Sequence, residues 1–198
     1  MRTLVIHSSI QGTRGKSRQL VDKLVSRLAQ TDRELIVTTR DLAATPIPYL
    51  DEQVLGALFT PAENRSPEQA AWVALSDALV SELIEADRIV IGVPIYNFGL
   101  PAQLKSYFDF IARSGVTFKY GADGTPKGLV TGKQVFVVSS RGGLAAGTPM
   151  DTVTPYLRTM LSFLGMDDVT FIAAEGQAMG AGAAQDGLDR AEQQIAQL

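Results

Sequence analysis

The sequence predicts an α/β fold: a doubly wound five-stranded parallel sheet in the order 2-1-3-4-5, with helices on both faces, over one domain spanning residues 1–198. Three observations predict it. The apolar runs are short and continuous, as strands buried on both faces require. Segments with apolar residues at helical spacing separate them, which implies right-handed βαβ crossovers. Several runs end in loops of small and polar residues, where open α/β sheets bind ligands.

Leu4-Val5-Ile6 forms the first strand, and Leu20, Val21, Leu24, Val25 and Leu28 mark one face of the helix that follows. Leu35-Ile36-Val37 is the second strand. Trp72, Leu75, Leu79 and Leu83 give the next helix, leading into a third strand from Ile89 to Val93. Pro101 opens a helix whose buried face is Leu104, Tyr107, Phe108 and Ile111. Val135 to Val138 is the fourth strand and Val153, Leu157, Met160, Leu161 and Leu164 the face of its helix. Val169 to Ala173 is the fifth, and Leu188, Ala191 and Ile195 belong to a final helix. Two connections are longer than the fold requires. Ala43 to Pro67 holds four prolines, with room for a short helix over Leu50 to Phe59, and reads as a lid or subunit contact. Ser114 to Gly132 suits a small hairpin. Gly176 to Gly187, rich in Gly and Ala, reads as a flexible loop before the last helix.

Composition excludes several classes. With 18 basic and 21 acidic residues the net charge is -3, against the positive field of a general nucleic-acid binder. Cysteine is absent, which removes disulfides, thiolate metal sites and cysteine nucleophiles. His7 is the single histidine, so a histidine-rich metal centre is impossible, and we read His7 as structural. No apolar stretch approaches the roughly 20 residues that span a bilayer. The chain enters its first strand at once, leaving no room for a secretory leader, and a cytoplasmic protein is expected.

Three loops carry the candidate chemistry. After the first strand, Ser8, Ser9, Thr13 and Ser17 surround Gly12 and Gly15 at a helix start, a place for a phosphate without magnesium. Gly15-Lys16-Ser17 lacks the earlier glycine of a triphosphate-binding loop, since Ile10 stands there, and the dinucleotide fingerprint fails for the same reason. The bland alternative is that Ser17 caps the helix. After the third strand, Pro94-Ile95-Tyr96-Asn97-Phe98-Gly99 offers backbone N–H groups, an amide and aromatic rings on which a flat ligand could lie. After the fourth, Ser139-Ser140-Arg141-Gly142-Gly143 lets backbone approach a planar group closely.

Together with His7-Ser8-Ser9 and Gly115-Val116-Thr117-Phe118-Lys119-Tyr120, these loops resemble the FMN-dependent NADH azoreductases, in order and spacing, from the first strand to the last helix. The resemblance implies a flavodoxin-like homodimer that reduces quinones and azo compounds, with the flavin near the subunit interface. It implies that Ser9, Gly15, Lys16 and Ser17 surround the FMN phosphate, that Ile95, Tyr96, Asn97 and Phe98 pack on and hydrogen-bond the ring, and that Ser140, Arg141, Gly142 and Gly143 line its other edge. Relatives often carry serine where this chain has Gly15, which implies weaker FMN retention. Tyr120 matches a tyrosine beside the flavin and Phe163 a phenylalanine near the interface, and both are assigned to the substrate pocket. NADH or NADPH would be the donor in a two-electron ping-pong reaction, with no metal and no catalytic side chain, since the cofactor carries the chemistry. A one-electron carrier of the same fold is the alternative, although such carriers tend to be more acidic than this chain.

Overall fold

The computed structural model describes residues 1–198. Strands β1 (Arg2–His7), β2 (Ile36–Asp41), β3 (Arg88–Pro94), β6 (Gln134–Ser140) and β7 (Asp168–Ala174) form one parallel sheet in the order β2-β1-β3-β6-β7. That is the predicted order, because β4 (Phe118–Tyr120) and β5 (Pro126–Gly128) stand apart as the expected antiparallel hairpin, Lys119 facing Lys127. All seven residues of β3 are buried, since it pairs on both edges and is covered on both faces.

The pleat sends alternate side chains to opposite faces, and two apolar layers result. Leu4, Ile6, Ile89, Ile91, Val135 and Val137 face α3 (Pro67–Glu85), α4 (Ala102–Ile111) and α5 (Val153–Leu164). Val5, Val90, Phe136 and Val138 face α1 (Lys16–Thr31) and α6 (Ala181–Ala196). The predicted stripe is buried in α4 as Leu104, Tyr107, Phe108 and Ile111, and in α1 as Leu20, Val21, Leu24 and Leu28 with Val25 half-buried. In α3 Leu79 and Leu83 are buried, but Trp72 and Leu75 only partly, and Val73 and Val80 join the face. Helix starts are local decisions. Ser66 and Gln69 close a reciprocal capping box before Pro67 in α3. Asp51 accepts from the Val54 N–H at 2.8 Å to start α2 (Glu52–Phe59), the short helix expected in the proline-bearing segment.

Two expectations are corrected. The second strand runs over Ile36–Asp41 and not 35–37, at a sheet edge where Ile36 and Val37 are exposed. Apolar periodicity could not mark its end, because none of the residues of this strand is buried and its second half, Thr38 to Asp41, is polar. The Gly/Ala-rich stretch 176–187 is not all loop: α6 begins at Ala181, and Gly187 lies inside it. A Cβ at Gly187 would come 2.0 Å from the Glu175 carbonyl oxygen, so glycine permits α6 to approach the end of β7.

The hairpin is held by a second close approach. Val130 N–H donates to the Leu164 carbonyl at 2.9 Å, and Gly128 packs on Gly165, the left-handed residue that ends α5. A Cβ at Gly128 would fall 2.1 Å from the Gly165 nitrogen. Gly128→Ala should therefore lower stability by about 1–3 kcal/mol through overpacking, measured as a shift of the urea midpoint at unchanged slope.

Candidate functional site

The carboxyl ends of β1, β3 and β6 bring the three loops to one edge of the sheet. Ser8, at the end of β1, donates its hydroxyl to the Gly92 carbonyl at 2.6 Å and locks the first loop to β3. It is thus a structural tie. Ser9, also buried, lies 3.5 Å from the Tyr96 hydroxyl, so the first and third-strand loops touch there. A turn over Gly12–Arg14, with Gly12 at φ +56°, returns the chain to Gly15, which caps α1 through its backbone and supplies no side-chain bond.

Ser17 is not the cap. It sits within the first turn of α1, 1% exposed, and its hydroxyl has no hydrogen-bond partner. The first-turn N–H groups of Lys16, Ser17 and Arg18 have no intrahelical acceptor either. The turn holds no acidic residue but two cations, Lys16 exposed and Arg18 paired to Asp41. Cations at a helix N-terminus oppose the macrodipole. The Ser17 hydroxyl, the free N–H groups and the Lys16 charge would all be satisfied by an anion. Gly15 is buried, and the place a side chain would take there is filled by Ser9: a Cβ at position 15 would lie 2.1 Å from Ser9 Oγ.

The loop after β3 is a tight turn. Tyr96 and Gly99 exchange both N–H···O bonds at 3.0 and 2.9 Å, with Asn97 at φ +48° and Phe98 at φ +64°. Two left-handed residues in succession make a type I′ turn. Asn tolerates that conformation, whereas Phe98 does so at a cost of about 1 kcal/mol or more. The strain is held by neighbours: Ile95 N–H donates to the Ser140 carbonyl at 2.8 Å, and Thr152 donates its hydroxyl to the Phe98 carbonyl. Phe98 is left 63% exposed, a ring held out beside the site with no apolar cover.

The loop after β6 is arranged differently from expectation at one residue. Gly142 and Gly143 present bare backbone, and neither N–H is bonded within the protein, while their carbonyls accept from Ala178 and Gly176. Ser140 is buried and its carbonyl holds Ile95. Arg141, however, turns its side chain away from the loop tip. Its guanidinium bonds Asp151 at 3.1 Å and lies 3.7 Å from Glu175. Glu175 in turn accepts from the Ala145 and Ala146 N–H groups, both at 2.7 Å, and Asp151 accepts from the Thr154 N–H at the start of α5. Arg141 is the buried centre of a clamp that shapes the loop 144–151. Sequence reasoning missed Asp151 and Glu175. An acidic residue just before a helix is the cap signal that could have found Asp151, whereas nothing in the sequence points to Glu175.

Between the β3 and β6 loops is a cavity of about 420 Å³ lined by Ile95, Asn97, Phe98, Gly142, Gly143 and, on its apolar side, Met150 and Val153. The phosphate-type turn of α1 is not part of this cavity but adjoins it through Ser9 and Tyr96. Tyr120 and Phe163 are not brought here. Both belong to the hairpin end of the sheet, where Phe163 packs on Phe118 with ring centroids 4.4 Å apart and Tyr120 stands edge-on to Phe118. Val153 and Phe163 open and close α5, so about 15 Å of helix separates Phe163 from the cavity.

His7 is 4% exposed at the end of β1, with Nε2 3.8 Å from Asp22. Burial, and next the Arg18 charge, hold its pKa below the ordinary value against Asp22 and Asp41. It is buried and held toward its neutral form, and no cluster of three or more His, Cys, Asp or Glu side chains is placed to hold a metal. What the arrangement can do is bind a phosphate ester without magnesium, place a flat ring on a strained turn, and meet the ring's edge with free N–H groups.

A family described as flavodoxin-like fold matches residues 1–198. A protein of Bordetella parapertussis named FMN-dependent NADH:quinone oxidoreductase is 62% identical over 195 residues, covering 98% of this chain and 93% of its own. One of Dechloromonas aromatica with the same name is 50% identical over 198 residues, 100% of this chain and 99% of its own. Among solved structures, an azoreductase from Bacillus anthracis superposes with a TM-score of 0.89 at 24% identity, covering 100% of each chain, a likeness of fold.

Burial pushes the Asp151 carboxyl up, but the Thr154 bonds and the Arg141 guanidinium outweigh it and hold it below the usual carboxylate range. Its contribution to stability is present above the unfolded-state value near 4 and lost as pH falls through the lower folded-state value. Asp151→Ala should cost about 3 kcal/mol at pH 7 by stranding Arg141, and the difference from wild type in urea unfolding should shrink below about pH 4.

Proposed function

The chain belongs to the flavodoxin-like fold family, and from that premise we propose that it is an FMN-dependent NADH:quinone and azo-compound oxidoreductase that works by two-electron ping-pong transfer. The observation that carries the proposal is the first turn of α1: an orphaned Ser17 hydroxyl, unsatisfied N–H groups and the exposed cation of Lys16, with no acidic residue in the turn. A phosphate ester answers all of them, and the adjoining loops suit a planar ring. The names of the curated relatives support this reading over a one-electron carrier.

In this reading Ser9, Gly15, Lys16 and Ser17 hold the FMN phosphate, with Lys16 as the mobile counter-charge and Ser9 standing where a side chain at position 15 would be. The chemistry supplied by the flavin is two-electron transfer, a hydride taken from NADH or NADPH and then given to a quinone or azo compound. The chain's own part is positional. Ile95, Tyr96, Asn97 and Phe98 fix the ring face, and the free N–H groups of Gly142 and Gly143 offset negative charge on its polar edge. Ser140 and Arg141 serve from behind, one through its carbonyl to Ile95 and the other through its clamp. No side chain needs to move a proton, in keeping with the neutral, buried His7.

The placement of Tyr120 and Phe163 bears on assembly. Both are assigned to the substrate pocket by resemblance, yet within one chain they are at the hairpin end of the sheet, with Tyr120 60% exposed. A homodimer in which the hairpin of one protomer faces the flavin edge of the other reconciles the two. The expected mass in light scattering is thus about twice 21.2 kDa, and a monomer would contradict it. The proposed enzyme is cytoplasmic, without membrane or nucleic-acid partners, in keeping with a net charge of -3; no helix is long and apolar enough to cross a membrane.

The purified protein, supplemented with FMN and desalted, should keep flavin absorbance bands that bleach on anaerobic NADH addition and return with benzoquinone; retained bands that ignore NADH would overturn the enzymatic reading. Ser17→Ala removes one charge-assisted bond and should weaken FMN binding about tenfold or more. Because the hydroxyl is unpartnered in the protein alone, the same variant should unfold in urea without loss of stability.

A further inference from the structure

A larger cavity, about 720 Å³, opens behind the Arg141 clamp between α5, the edge strand β7 and α6. It shares Arg141 and Asp151 with the ring cavity but none of that cavity's ring-facing residues. Its volume is in the range of small-molecule sites.

The charges lining it do not cancel. Its two acids are already engaged: Asp151 by Arg141 and the Thr154 N–H, and Glu175 by Arg141 and the Ala145 and Ala146 N–H groups. Two arginines have no carboxylate partner. Arg158 is laid over the Phe171 ring with its guanidinium carbon 4.5 Å from the centroid. Stacking holds the guanidinium plane while leaving its N–H edge free to donate. Arg190 uses only its Nε, donating to the Asp186 carbonyl one turn back, so its terminal N–H groups remain available. At the base, Arg141 is 6% exposed and its Nε faces Glu175 at 3.7 Å, so the clamp leaves no acid free to oppose an anion. Two guanidinium groups with free N–H edges, over acids that are already engaged, define an oxyanion site.

We propose that the groove between α5, β7 and α6 binds a small organic oxyanion, a phosphate or a polycarboxylate, through Arg158 and Arg190. The site stands on the far side of the Arg141 clamp from the ring cavity. Its occupant would therefore press on the residues that shape the loop 144–151, and the proposal holds whether or not the flavin reading does.

The test is titration calorimetry of the FMN-supplemented protein with inorganic pyrophosphate and, separately, with citrate. Wild type is compared with Arg158→Ala/Arg190→Ala and with Ser17→Ala, the last reporting on the phosphate-type turn of α1. Saturable binding of either probe that weakens about tenfold or more in the arginine double variant and survives Ser17→Ala supports the site; binding of pyrophosphate alone assigns it to phosphates, of citrate alone to carboxylates. Flat isotherms for both probes, or binding that persists undiminished in the double variant, would overturn it. Both arginines are exposed, so the variant should keep its fold, which circular dichroism checks.

Discussion

An unsatisfied positive helix end is the constraint on which the site depends. The first turn of α1 exposes free N–H groups, buries a hydroxyl without a partner, and carries the unpaired Lys16 where the macrodipole favours acids. Left alone, each of these features costs stability. They persist because the sheet fixes them: Ser8 is bonded to β3, Gly15 is seated against Ser9, and Leu20, Val21 and Leu24 are buried in the layer beneath. None of these supports involves the free groups of the turn, which leaves them available to an anion.

The second element of the site is backbone shape rather than reactive side chains. A type I′ turn with Phe98 in the left-handed region is an uncomfortable structure, held by Ile95 bonding across to β6 and by Thr152 at the head of α5. The loop after β6 is held equally firmly by the Arg141 clamp. Three loops from three strands are thereby fixed relative to one another without a catalytic acid or base among them. That suits chemistry in which a bound ring performs the transfer and the protein sets orientation, water access and local charge.

Legibility in the sequence followed burial. Strands covered on both faces, such as Ile89 to Val93, announce themselves as continuous apolar runs, and the order of the sheet follows from the crossovers between them. Edge strand β2 has exposed side chains and no such signature, so its end was not legible. Gly187 reads as a loop residue because composition cannot distinguish a glycine that frees the chain from one that admits a neighbouring backbone. Within the site, the loops and their glycines were legible as local strings. The direction of Arg141 was not, because its partners Asp151 and Glu175 are 10 and 34 residues away in the chain. Tyr120 and Phe163 show the same limit: a motif gives identity, whereas the sheet decides at which end a residue stands.

The central claim is that the α1 turn is built for a phosphate ester, and the most direct measurement is the dissociation constant of FMN against that of riboflavin, by quenching of flavin fluorescence. The two ligands share the ring and differ in the phosphate alone. The account predicts that FMN binds tighter by about two orders of magnitude or more, as a dianion meeting several charge-assisted donors should. Equal affinities would contradict it, because the turn would then contribute nothing that the ring does not.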